Sequence, residues 1–99
     1  MNIEIEEIYT FKISNGDEIV ARVEEITDTH YVISRPLTVV PSSQGIQMIM
    51  GLFTANPEKM VSLNTSAVSM VATVRDEVRD SYIEATTGIR PVSKKLLMG

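Results

Sequence analysis

The clearest pattern along the chain is strict alternation. Tyr9, Phe11 and Ile13 are separated by Thr10, Lys12 and Ser14, and Ile19, Ala21 and Val23 by residues that include Arg22. A period of two buries one face of a strand and wets the other, so both runs are predicted as half-buried antiparallel strands. Between them Asn15-Gly16 predicts a two-residue type I′ turn, because both residue types tolerate positive φ. Thr27-Asp28-Thr29-His30 is a second turn, and Tyr31-Val32-Ile33 opens a third β-rich run. Residues 2–8 read as a strand or lead-in rather than a helical turn, since the alternation continues into Tyr9.

Pro36 cannot donate to a ladder, so it is placed at an edge or bulge of one long, bent hairpin that runs through Leu37–Val40, the turn Pro41–Gly45 and Ile46–Phe53. Gly51 is expected at a bend. A further turn at Thr54–Glu58 precedes a short strand at Met60–Leu63. The polar turn Asn64-Thr65-Ser66 leads into Ala67–Thr73, apolar enough to read as a central strand. The period then lengthens. Val74, Val78, Tyr82 and Ala85 recur at helical spacing opposite Arg75, Asp76, Glu77, Arg79, Asp80 and Glu84, which predicts an amphipathic helix over 74–88. Thr73 with Asp76 reads as its cap and Gly88 as its stop. Residues 89–99 form a tail without a pattern. The division is therefore a β-barrel over 1–73, a helix packed on it over 74–88, and the tail. A small sheet with several short turns closes into a strongly bent barrel to remove its edges; any edge left open pairs with a neighbouring subunit.

Composition narrows the function. With 99 residues there is one core, and a net charge of −4 argues against a sequence-independent grip on nucleic acid. There is no cysteine, hence no disulfide frame and no thiolate site. No run is long and apolar enough for a membrane span, and the start is not patterned as a secretory signal. The expectation is a cytoplasmic protein. No nucleophile motif, metal spacing or phosphate-binding glycine loop is present, and no carboxylate has an evident catalytic partner. The reading is no enzyme, no cofactor and no metal.

Two stretches carry a family resemblance. Ile13-Ser14-Asn15-Gly16, Ala21 and Asp28-Thr29-His30-Tyr31-Val32-Ile33 resemble the first motif of Sm-like proteins. Asn64-Thr65-Ser66-Ala67-Val68-Ser69-Met70-Val71 resembles the second motif, most of all in its bacterial Hfq form. The resemblance implies a mainly β fold: a small, strongly bent five-stranded Sm-like (SH3-like) barrel, here with a C-terminal α-helix. It also implies a cyclic homo-oligomer, pentamer to heptamer, in which the fourth strand of one subunit pairs with the fifth of the next. Single-stranded RNA would bind near the pore through Asp28, His30, Tyr31, Asn64, Thr65 and Ser66. Ala67, Val68, Met70 and Val71 would lie at the subunit interface.

The sequence departs from the family pattern in ways that weaken RNA binding. Ala21 stands at the glycine position, and the spacing to Asp28 is one residue longer than usual. Val32 replaces the Asn that reads a base edge, and Thr65-Ser66 replaces the cation of the second motif. The helix follows the barrel instead of preceding it, which looks like the divergent Sm-like proteins of bacteriophages and suggests a phage-encoded protein in a host cytoplasm. The alternative function is a ring-shaped assembly or protein-interaction module without RNA. Read without the family, His30 is a solvated turn residue, Asp28 bonds its own backbone, and Met48, Met50, Met60 and Met70 fill core or interface.

Overall fold

A computed structural model describes residues 2–52 and 54–88. Phe53 and the expected tail 89–99 lie outside the described residues. Six strands form one antiparallel sheet: β1 (Ile8–Ile13), β2 (Glu18–Ile26), β3 (His30–Ser42), β4 (Gly45–Met50), β5 (Val61–Asn64) and β6 (Val68–Thr73). The order is β4-β3-β2-β1-β6, with β5 paired to the other part of β3. A 3-10 turn, Thr65–Ala67, links β5 to β6, and one helix, α1 (Asp76–Thr87), follows. The fold is thus mainly β with a C-terminal helix. The last strand is not central, as its apolar character suggested; β6 ends the sheet beside β1.

The β1–β2 hairpin forms where the alternation placed it, but its turn differs. Ile13 and Asp17 close the loop (Ile13 N–H to Asp17 O, 2.9 Å), and Gly16 N–H reaches Ile13 O at 2.9 Å. Gly16 has φ +98°, whereas Asn15 is not among the residues of positive φ. The loop has three residues, Ser14-Asn15-Gly16, with glycine alone in the left-handed region. Asn15 instead turns its Oδ1 to Asp17 N–H at 2.9 Å. The lead-in is not a strand. Glu6 has φ +69°, and a turn there ties back to β2 through Glu6 N–H to Val23 O (2.6 Å) and Val23 N–H to Glu7 O (2.9 Å).

β3 continues past Pro36, which lies at an irregularity of the ladder, as expected of it. Val20 faces Leu37 and Arg22 faces Ser34, so Ala21 opposes both Arg35 and Pro36. This is a bulge, and Arg35 takes φ +49° within it. β4 ends at Met50, with Gly51 in the bend that follows.

Tyr9, Phe11, Ala21, Val23 and Ile33 form the core, all at most 3% exposed, with Ile19, Tyr31, Val61, Leu63, Val68 and Val71 packed around them. The rings of Phe11 and Tyr31 lie 5.4 Å apart and are tilted by 47°. Val20, on the opposite face of β2, is also buried. It lines a cleft with Val74 and Val78, where the chain enters α1. The helix starts at Asp76 with Arg75 as its cap and no side-chain cap bond. Thr73 cannot cap it, because the β6 ladder holds it opposite Tyr9. Gly88 ends the helix in the left-handed region at φ +75°, its N–H on Glu84 O.

Candidate functional site

Three chain segments meet at one end of the sheet. The turn between β2 and β3 is built by Thr27, whose Oγ1 accepts from His30 N–H (2.9 Å) and Thr29 N–H (3.3 Å). The backbone-bonding role expected of Asp28 falls to Thr27, and Asp28 is exposed. The 3-10 turn docks on this loop, since Thr65 N–H and Oγ1–H both donate to Thr29 O (2.9 and 3.1 Å). Its far end meets the first hairpin through Ser14 N–H to Ala67 O at 2.8 Å. Asn64 caps the 3-10 turn: its Oδ1 accepts from Ser66 N–H and Ser66 Oγ–H, each at 2.9 Å. His30 stands directly opposite Asn64 in the β3–β5 ladder.

The structure therefore brings Asp28, His30, Asn64, Thr65 and Ser66 together across more than thirty positions of sequence. Most of the polar atoms in the cluster are already used within it. What stays available is the half-exposed His30 ring, with Nδ1 at 2.6 Å from Thr29 Oγ1, the Asn64 side-chain N–H groups and the Asp28 carboxylate. Such a set offers hydrogen bonds and a stacking face but no phosphate-neutralising charge. Tyr31 goes elsewhere. Strand alternation sends it to the opposite face from His30, where its ring packs on Phe11 in the core. The same alternation in the sequence, Tyr31 in phase with Ile33, contains that signal.

The interface residues divide in the same way. Val68 and Val71 pack on the core, Ala67 is half-buried in the 3-10 turn, and Met70 faces outward at 65% exposed, opposite Lys12 in β1. On the far edge, β4 shows Ile46, Ile49 and Met50, each close to half exposed. No charged residue lies between Arg35 and Glu58, so no charge on this edge resists pairing with another strand.

A second locus, around Tyr82, was not singled out from the sequence beyond its helical spacing. Tyr82 is 3% exposed. Its hydroxyl accepts from Arg22 N–H at 3.2 Å and shares its proton between Ser34 O (2.9 Å) and Arg35 O (3.0 Å). These are backbone groups beside the bulge, so one side chain satisfies the locally disrupted ladder and anchors the helix. Arg35 completes the dock by donating to Thr86 O near the helix end, where the dipole favours a cation. Burial above all raises the Tyr82 phenol from 10.0 to about 12. Val78, which the pattern made an equal anchor, is only half-buried. Beside Tyr82, Arg22 lies 3.3 Å from Glu24 and 3.4 Å from Glu6, and Glu24 accepts from Ser34 Oγ at 2.6 Å.

Among the described residues no group of three or more His, Cys, Asp or Glu side chains could hold a metal ion, and no helix is long and apolar enough to cross a membrane. Scans against protein-family models and against curated proteins found no match to the chain.

Proposed function

We propose that this protein is a ring-forming subunit of Sm-like type, acting in the cytoplasm, that binds single-stranded RNA weakly at the His30–Asn64 end of the sheet. The observation that carries the reading is the open sheet. Its order leaves β4 and β6 as the ends of the path, with β5, paired only to β3, as a further edge, and β4 and β6 both present apolar side chains to solvent. Head-to-tail pairing of a β6 edge with the β4 edge of the next copy removes both edges when the ring closes. Closing the small sheet into a bent barrel belongs to the same proposal. The 3-10 turn before the last strand and the meeting of the two motif turns, with His30 opposite Asn64, support the family resemblance.

RNA binding follows from repetition. A ring gathers several copies of the His30–Asn64 cluster, and weak contacts add through multivalency. His30 stacks on a base, Asn64 donates to a base edge or phosphate, and the affinity falls in the micromolar range because no cation sits in the cluster. Filter binding to U-rich and A-rich single strands at two salt concentrations tests this. A shallow salt slope is expected, and His30→Ala should weaken binding by about 1–3 kcal/mol per stacked base. Tight binding indifferent to His30→Ala would put the RNA site on another surface.

The second reading is an assembly module without RNA. The acidic charge of the chain and the exposed Asp28 within the cluster favour it. Absence of binding to any single strand at low salt would select it.

A further inference from the structure

The cations of this acidic chain are not spread evenly. Lys12 and Arg75 apart, every cation among the described residues lines one cleft: Arg22, Arg35, Lys59 and Arg79. The cleft lies between α1 and the bulged part of β2–β3 and has a volume of about 550 Å³. That is the size of a small-molecule site.

The ion pairs set the balance inside it. Glu6 and Glu24 both pair with Arg22, at 3.4 and 3.3 Å, and leave one negative charge in excess there. Arg75, outside the cleft, has Glu77 at 3.8 Å. Arg35, Lys59 and Arg79 have no carboxylate within 4.0 Å among the described residues, although the chain carries more acids than bases. The apolar part of the wall is Ile8, Pro57, Met60 and Ile83, and Ser34, Thr86 and Thr87 add hydroxyl groups. Glu58 also lines the cleft, so its wall carries four cations and three carboxylates. The three cations without an ion pair stand beside apolar groups, an arrangement complementary to an anion carried on an apolar body. Because these cations border a concavity of limited volume, they suit a compact anion better than a polymer backbone.

We infer that this cleft binds a small phosphomonoester with an apolar or aromatic body, Arg79, Arg35 and Lys59 holding the phosphate and Met60 and Ile83 the body. The site is separate from the His30–Asn64 cluster, and its occupancy does not depend on RNA binding or on ring formation.

The test uses isothermal titration of the full chain at low salt with phenyl phosphate and with inorganic phosphate. Phenyl phosphate is expected to saturate one site per chain and to bind more tightly than inorganic phosphate. Arg79 makes no side-chain hydrogen bond or ion pair to another described residue, so Arg79→Ala should melt like the parent while weakening phenyl phosphate at least tenfold. Arg75→Ala removes the same charge outside the cleft and should leave the affinity unchanged, as should His30→Ala. The inference is overturned by no saturable binding, by equal affinity for the two probes, or by a loss with Arg75→Ala as large as with Arg79→Ala. Binding of single-stranded RNA that Arg79→Ala abolishes, with no binding of phenyl phosphate, overturns it in favour of a polymer site.

Discussion

Tyr82→Phe is expected to destabilise the protein by about 1–3 kcal/mol, the cost of leaving buried backbone groups without a partner. In a domain of this size each kcal/mol moves Tm by about 4–8 °C. The ring stays and its packing is kept, so the loss isolates the hydroxyl and its bonds to Arg22 N–H, Ser34 O and Arg35 O. The same residue sets an alkaline limb. Folding holds the phenol neutral and raises it from 10.0 to about 12, burial being the main cause. A group raised in the folded state contributes fully below its unfolded value and loses that contribution as pH climbs through the folded one. Between pH 10 and about 12 the parent should therefore lose about 3 kcal/mol that Tyr82→Phe does not have to lose. Urea midpoints of both proteins across that window, at one protein concentration, measure the difference. Parallel curves would mean that the hydroxyl is not held by the bulge.

Phe11→Ala should have the larger effect at neutral pH. Phe11 is fully buried, sits opposite Ile19 on one side and Val71 on the other, and stacks at a tilt on Tyr31. Removing a buried aromatic ring costs about 3–5 kcal/mol, and losing an aromatic pair about 0.5–1.5 more. Against a total of about 5–15 kcal/mol for a natural domain, that is a large share. Urea unfolding should show a lower midpoint with an unchanged slope. Retention of the parent midpoint would show that the core does not centre on β1.

Much of this architecture is legible from local pattern. Period two located β1, β2 and the start of β3, and the change to helical period located α1. What local pattern could not decide was settled by partners far along the chain. Asn15-Gly16 suits two kinds of hairpin loop, and the choice fell to the Ile13–Asp17 pair, which leaves Ser14 inside the loop. Thr73 has a capping side chain, but the Tyr9 pairing keeps it in β6. Helical spacing grouped Val78 with Tyr82 without showing which of them reaches the bulge. The His30–Asn64 cluster was legible only through the family resemblance, because its halves lie on β3 and β5. The cationic cleft gives no sequence signal at all: Arg22, Arg35 and Arg79 come from three elements, Lys59 from a loop, and no spacing relates them.

The proposed ring requires the open edges of the sheet to close against other copies of the chain. Light scattering after size separation at micromolar concentration tests it most directly. A cyclic homo-oligomer of one defined mass is expected. Met70→Lys on β6 and Ile49→Lys on β4, both at exposed positions, should each shift that mass towards the monomer while the strand content stays unchanged. A monomeric mass for the unaltered protein at that concentration would contradict it.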